Sequence, residues 1–482
     1  MAFYSEAYHE SIRKSPYSKG DPIVLHWERQ TPPDKRFEGC KRYSTDGGNR
    51  NLNKNDLFSL TASSSTLLNK VFSQLKNDVS ADCLESVGVY ALLQGETVPD
   101  GLYYFDRESG ELVALPFESA KEKKTTIANL QNAFPKNEFI QNASITLFLT
   151  GILDRAVWRF KEAAYHEVQL DVGSYAGLVS ILARSVGGIA IPLGAFVDDD
   201  VAVALNLPST EVPLAALSIM PKALKKYEMA TDFAYSNRSE FPAFAEPSSA
   251  GENSPLRRMA SRFLQQNRAE CITDLDHCIK VCRVVNQPFA GEEFPLTPLK
   301  FPNEYFFKEY SFLGPGALSN RSFQHWQASL DDFSTILRWM EICNLNAFGA
   351  GLLKIWVVAF DVLLVYPGLY RYLPLKKSLF LHSGSIDMKK FCKCHLASES
   401  PEGAAFAVIF TADVKEACNM LGERAYRYLN MNAGFVAEML RESARGLGKF
   451  ARREMLYCEE ELKKSCKFPE NESILCEVLV GK

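Results

Sequence analysis

Apolar positions in this chain fall into short dense runs rather than long amphipathic stripes. VGVYALLQ from Val87, the run at 144–150 and SILCEVLVG from Ser473 are almost unbroken, which predicts strands. GLYYFDRESGELVALP from Gly101 reads as a hairpin turning at RESG, and GLYRYLPLKKSLFLHS from Gly368 as another. LLKIWVVAFDVLLVYP predicts a buried strand and turn over 352–366. Helical patterns cover 55–77 (capped by Asn55 or Asp56), 119–134, 255–285 and SLDDFSTILRWMEICN, which Ser329 opens. Two small-residue stretches, VGSYAGLVSILARSVGG over 174–187 and NAGFVAEMLRESARGLG, also read as helices. Between them, GGIAIPLGAFVDDDVAVALNLPSTEVPLAALSIMP reads as strand, turn, helix with Asp198 near its cap, and strand.

The pattern occurs twice. LFLTGILDRAVWRFKEAAYHEVQLDVG at 147–173 aligns with VIFTADVKEACNMLGERAYRYLNMNAG at 408–434. Thr150 meets Thr411, Ala164 meets Ala425, Tyr165 meets Tyr426 and Gly173 meets Gly434, always 261 positions apart. The GLY hairpins at 101 and 368 repeat at a spacing of 267, so a small insertion or deletion separates the two blocks. Two matches in the same order predict two copies of one α+β unit, packed on each other as a pseudo-dimer.

Length agrees, since 482 residues exceed one ordinary core. Hydrophobic content of 46% and charged content of 23% fit a globular chain, and a net charge of −4 leaves no footprint for nucleic acid. RRMASR and RRE are read as solvated faces. The longest apolar stretch carries Lys354 and Asp361, too charged for a membrane span, and MAFYSEAYHESIRK lacks a signal-peptide core, so a cytoplasmic protein is expected. Twelve scattered cysteines are expected as reduced thiols. Cys392-Lys-Cys394-His395 and the spacing of Cys271, Cys278 and Cys282 could suggest metal binding, but buried thiols are the preferred reading and no metal is expected. No G-x-S-x-G, Walker loop or HExxH occurs.

The ordered motifs resemble the FMN-dependent nitroreductase-like family, in its SagB-type dehydrogenase and azoline-oxidase branch, as a tandem pair. YHESIRKSP, LHW and PPDKRF are similar to that branch's opening arm. The GLYYF and GLYRY hairpins resemble its GLYHYDP element, ERAYRYLNMNAGFVAEML its RGYRYLLLEAGHVAQNL element, and IAIPLGAFVDDDVAVALNL its PIGGFDDEALNRLLGL element. The resemblance implies an arm at 1–45, a nitroreductase-like domain at 46–228, a linker or excursion with a helix at 229–302, and a second such domain at 303–482. It implies α+β sandwiches, each an antiparallel-rich mixed sheet flanked by helices, with FMN in the seam between them. A further homodimer remains compatible.

In the family each site combines an Arg-x-Ser segment and a Pro-x-x-Gly loop from one subunit with a Ser/Gly-rich loop from the other. The corresponding positions are Asn320, Arg321, Ser322 and Gln324; Pro192, Leu193, Gly194 and Ala195; and Phe348, Gly349, Ala350 and Gly351. Asn320 and Gln324 stand where the family has cations, and after Gly448 the second half has KFARREML in place of the Pro-x-x-Gly loop. Lys41-Arg42-Tyr43-Ser44 and Asn49-Arg50-Asn51 are the first half's candidates for the Arg-x-Ser segment. The Lys-Tyr pair of the azoline oxidases is replaced by Arg159-Phe160 and Asn419-Met420, which removes a base and a hydroxyl. Two expectations follow: an FMN-dependent oxidoreductase acting on a small molecule or peptide, or a nitroreductase-fold binding or scaffold module without redox activity.

Overall fold

A computed structural model describes residues 3–13, 40–44, 71–72, 86–95, 98–107, 109–135, 138–185, 188–221, 292–295, 323–342, 347–348, 352–373, 378–384, 386–396, 401–455 and 457–482. The expected helix at 255–285 and most of that at 55–77 lie outside these residues.

The chain runs α1 (Tyr4–Ile12), β1 (Arg42–Ser44), β2 (Val87–Leu93), β3 (Gly101–Asp106), β4 (Glu111–Ala114), α2 (Ala120–Asn132), α3 (Glu138–Gln141), β5 (Ile145–Ile152), α4 (Leu153–Phe160), α5 (Ala164–Ser185), β6 (Gly188–Leu193), α6 (Asp198–Ala204) and β7 (Glu211–Pro221). It continues β8 (Glu292–Pro295), α7 (Leu330–Ile342), β9 (Lys354–Ala359), β10 (Gly368–Leu373), β11 (Ser378–Gly384), α8 (Met388–Lys393), β12 (Phe406–Ala412), α9 (Val414–Leu421), α10 (Ala425–Gly446), β13 (Phe450–Glu454), α11 (Glu459–Cys466) and β14 (Ser473–Gly481).

Two seven-stranded sheets result, ordered β1-β4-β3-β2-β5-β7-β6 and β8-β11-β10-β9-β12-β14-β13. Every described pairing in them is antiparallel. The strand order is the same in both. So is a register shift, at Leu149/Thr150 in one and Phe410/Thr411 in the other. Beside each shift a buried threonine hydroxyl donates to a carboxylate, Thr150 to Glu211 and Thr411 to Glu472. β1 falls within the expected arm and β8 within the expected linker, so both stretches supply edge strands.

β5 is buried along its whole length, which explains its unbroken apolar run. Side chains alternate between two cores, as a strand's period of two requires. Val87, Val89 and Ala91 of β2 enter a central core shared by both sheets, while Tyr90 and Leu92 enter an outer core with α2 and α6. Phe406, Val408 and Phe410 of β12 likewise face the centre, and Ala407 and Ile409 face an outer core with α8 and α11.

The centre holds α5 against α10. A Cβ on Gly173 would lie 2.1 Å from the Met431 carbonyl oxygen, and one on Gly434 would lie 2.0 Å from that of Leu170. The backbones therefore touch where both helices lack a side chain. Asn430 Nδ2 donates to Gln169 Oε1 at 2.8 Å at the same crossing. α5 starts at Ala164, ten residues before the expected helix. Its first turns carry Glu167, Gln169 and Asp171, all buried in polar contacts, so the apolar pattern hides them. The strand expected over 352–366 ends at Ala359, and a turn exposing Leu363, Leu364 and Tyr366 follows.

Candidate functional site

The Pro192–Phe196 turn leaves β6 at the seam between the sheets. Pro192 pairs with Leu217 on β6, the edge strand of its sheet, where a residue without an N–H is tolerated. Beyond it, a Cβ on Gly194 would lie 2.8 Å from the Tyr428 ring and 3.4 Å from the Phe348 carbonyl oxygen. The Phe348 N–H donates to Asn432 Oδ1 at 2.9 Å. The expected neighbours Gly194 and Phe348 are thus brought together by Tyr428 and Asn432, both on α10.

A buried charge cluster lies beneath this turn. Arg424 precedes α10, and Arg427 is one turn on, so both guanidiniums reach the same place. Arg424 Nη1 binds Asp198 Oδ2 at 2.6 Å, and Arg427 Nη1 binds Asp198 Oδ1 at 2.9 Å. Arg424 Nη2 also donates to the Gly194 carbonyl at 2.8 Å, where the Tyr428 hydroxyl donates at 3.3 Å. Arg427 Nε donates to the Leu214 carbonyl at 3.0 Å. Both guanidiniums sit 5.1 Å from the centre of the Phe196 ring. Burial pushes the Asp198 carboxyl up, against the pull of the two arginines. Burial first, then the charge of Arg427, brings Arg424 down to about 10. The three groups carry one surplus positive charge, fixed against the loop backbone.

The other expected site residues do not converge here. The Gln324 N–H donates to the Lys482 carbonyl at 2.7 Å, and neighbouring Phe323 packs beneath Arg452 in the second outer core. Asn320, Arg321, Ser322, Gly349, Ala350 and Gly351 lie outside the described residues. Arg42, a first-half candidate, is an edge-strand residue bound to Asp106 at 2.7 Å and Glu111 at 3.1 Å. The RRE run is not a solvated face. Arg452 and Arg453 are buried, the former paired with Glu454 and the latter with Asp171. Cys394 and His395 form no metal hook, because both ring nitrogens of His395 are taken, by Phe391 O at 2.9 Å and Glu477 Oε2 at 3.0 Å.

The contacts of the cluster recur 261 positions away with different residues. Glu459 begins α11 as Asp198 begins α6. His166 Nε2 donates to the Leu475 carbonyl at 3.0 Å, as Arg427 does to that of Leu214. The Nδ1 atoms of His166 and His9 both lie within hydrogen-bond reach of the Tyr426 hydroxyl, at 3.0 Å and 3.1 Å. Burial pushes the His166 pKa down to about 3, with the charge of His9 adding to it. His9 Nε2 in turn lies 3.3 Å from Glu459 Oε2, so α1 packs against the start of α11. A clue to these sites stood in the sequence: Asp198-Asp199-Asp200 and Glu459-Glu460-Glu461 are themselves 261 apart.

Comparison with known proteins bears on the fold. A profile described as "Nitroreductase family" matches residues 80–219. A structure from Anabaena variabilis described as a nitroreductase superposes with a TM-score of 0.76 at 18% identity, covering 100% of each chain. The fold is nitroreductase-like. A Ralstonia eutropha protein described as a nitroreductase matches at a TM-score of 0.28 and 17% identity, covering 41% of this chain and 87% of its own. The E. coli microcin synthetase McbBCD complex with truncated pro-MccB17 bound matches at 0.30 and 16%, covering 53% of this chain and 92% of its own. Scores that low carry no argument. No curated protein matches. Among the described residues no helix is long and apolar enough to cross a membrane, and no group of His, Cys, Asp and Glu could hold a metal ion.

Nitroreductase folds are associated with flavin, and the residues at 192–198 fit one in one respect. Asp198, Arg424 and Arg427 place a surplus buried positive charge beneath the turn, which would favour an anionic group beside it.

Proposed function

We propose that this chain is a flavin-dependent oxidoreductase. Its two sheet-and-helix units, 46–228 and 303–482, act as tandem nitroreductase-like domains folded into a pseudo-dimer of the SagB-type branch. FMN would lie in the seam where the turn of Pro192, Leu193, Gly194 and Ala195 meets Phe348, with Gly349, Ala350 and Gly351 as family-derived candidates for its ring. Arg321 and Ser322, with Asn320 and Gln324, are the family-derived candidates for its phosphate. The observation that carries the reading is the clamp on Gly194: Arg424 and Tyr428 hold its carbonyl from across the seam. A trans peptide points the next N–H the opposite way, so the clamp also fixes the Ala195 amide.

Bound flavin supplies hydride transfer to or from a small molecule or peptide. The protein's part is to hold the loop backbone still, exclude water and set the local charge. The buried surplus positive charge of Asp198, Arg424 and Arg427 would favour negative charge on a group held beside it. Peptide heterocycle oxidation by a Lys-Tyr pair is not part of the proposal, because neither copy keeps that pair.

A second reading has an observation in its favour. Phe348 is 0% exposed, Tyr428 1% and Leu193 5%, so the described part of the seam is closely packed. A module that keeps the fold only for binding or scaffolding would look the same. Purifying the full chain and recording its visible spectrum with and without added FMN separates the two. Flavin bands that survive desalting, and that are lost in Arg424→Met, support the oxidoreductase. A colourless protein that takes up no FMN refutes it.

A further inference from the structure

The seam at Gly194 has a counterpart, and the two are chemically different. At the same spacing of 261, Pro192 corresponds to Arg453, Gly194 to Met455 and Asn432 to Asp171. Arg453 Nη2 binds Asp171 Oδ1 at 2.7 Å and lies 3.6 Å from Glu167 Oε2. The other oxygen of Asp171 accepts from Ser86 Oγ at 2.9 Å. Gly194 is thus replaced by a thioether, with Met455 Sδ 3.8 Å from Arg453. The charge differs too: Glu167, Asp171 and Arg453 stand where the first seam has the uncharged Tyr428, Asn432 and Pro192, so two carboxylates face one guanidinium. Nearby, His9 of α1 ties Glu459 and Tyr426 together.

We propose that the chain takes one flavin, not two, and that the seam at Asp171 and Arg453 is an internal ion-pair joint closed to an anionic cofactor. The claim of one flavin rests on the flavin reading above; the joint itself does not. Arg453 stands where the other copy has proline, Met455 brings a side chain where that copy has glycine, and the surplus negative charge repels a phosphate. The joint instead fastens α5 to β13, binding the two units where no ligand does so.

Two measurements on the full chain test this. Calorimetric titration with FMN is expected to give one site per chain; two sites would overturn the proposal. Complete absence of binding would refute the flavin reading, and the joint is then decided by the second measurement, which needs no ligand. In Asp171→Asn, which copies the residue at 432, amide exchange in 164–171 and 450–455 is expected to rise by about tenfold while that in 424–428 holds. Arg453→Gln should repeat the effect, and it should leave the FMN count unchanged. Exchange no faster than in the parent protein in both variants would overturn the joint.

Discussion

Replacing Gly434 by alanine tests the central packing directly. The new Cβ would sit 2.0 Å from the Leu170 carbonyl oxygen, 2.8 Å from its carbon and 2.9 Å from its Cα. All three are backbone atoms, so no side chain can swing aside. Reaching contact distance means parting the two helices by roughly 1.4 Å. Ala425 through Leu440 are buried without a break, so the movement must open gaps against both sheets. Overpacking of this kind costs about 1–3 kcal/mol, and backbone on both sides places it near ~3. Alanine recovers about 1 kcal/mol of helix propensity, which leaves a net loss of about 2 kcal/mol. Urea unfolding should show this as a lower midpoint at unchanged slope. Gly173→Ala should lose a similar amount, because its Cβ meets Met431 in the same way. Gly384, with nothing within 4 Å of its Cβ, is the control and should tolerate alanine. A Gly434→Ala protein as stable as the parent would refute the contact between these helices.

Asp198→Asn leaves two buried guanidiniums facing each other and should cost about 3–5 kcal/mol in the same assay; a loss under ~1 would contradict the cluster. His166 has its pKa held at about 3 against an ordinary 6.5, so the unfolded chain binds a proton that the native one refuses. Its contribution is therefore present above pH 6.5 and lost as pH falls toward 3, and His166→Gln should flatten that slope; an unchanged slope would count against a neutral ring. Lys161 holds a φ of 52° where the counterpart 261 positions on is Gly422 at 70°, so Lys161→Gly should stabilise by about 1 kcal/mol. A loss of stability there would mean that the lysine side chain earns its strained place.

Much of the fold could be read from the chain because its strands are covered on both faces, which turns them into dense apolar runs such as 145–152. The start of α5 could not, for a related reason. A helix buried all round has no polar stripe, and its buried polar residues, Gln169 with Asn430 and Asp171 with Arg453, answer partners 261 and 282 positions away. Charge read locally goes to the surface, which is why Arg452 and Arg453 were expected there. The candidate site was half legible. Pro192–Ala195 and Phe348 were visible as turns, whereas Arg424 and Arg427, which hold the first turn and β7 from the other unit, stood in the ERAYRY motif with nothing local to say what they bind.

The change in spacing from 267 to 261 has a definite address. β4 starts at 111 and β5 at 145, while β11 starts at 378 and β12 at 406, six residues closer. From β5 to the end of α5, the later unit keeps the count residue for residue. A single residue added inside that stretch would turn everything beyond it by about 100° and carry a glycine away from the carbonyl it faces. The crossover between β4 and β5 passes over an outer face, and the six extra residues fall there, outside the stretch from 145 to 185 that cannot change in length.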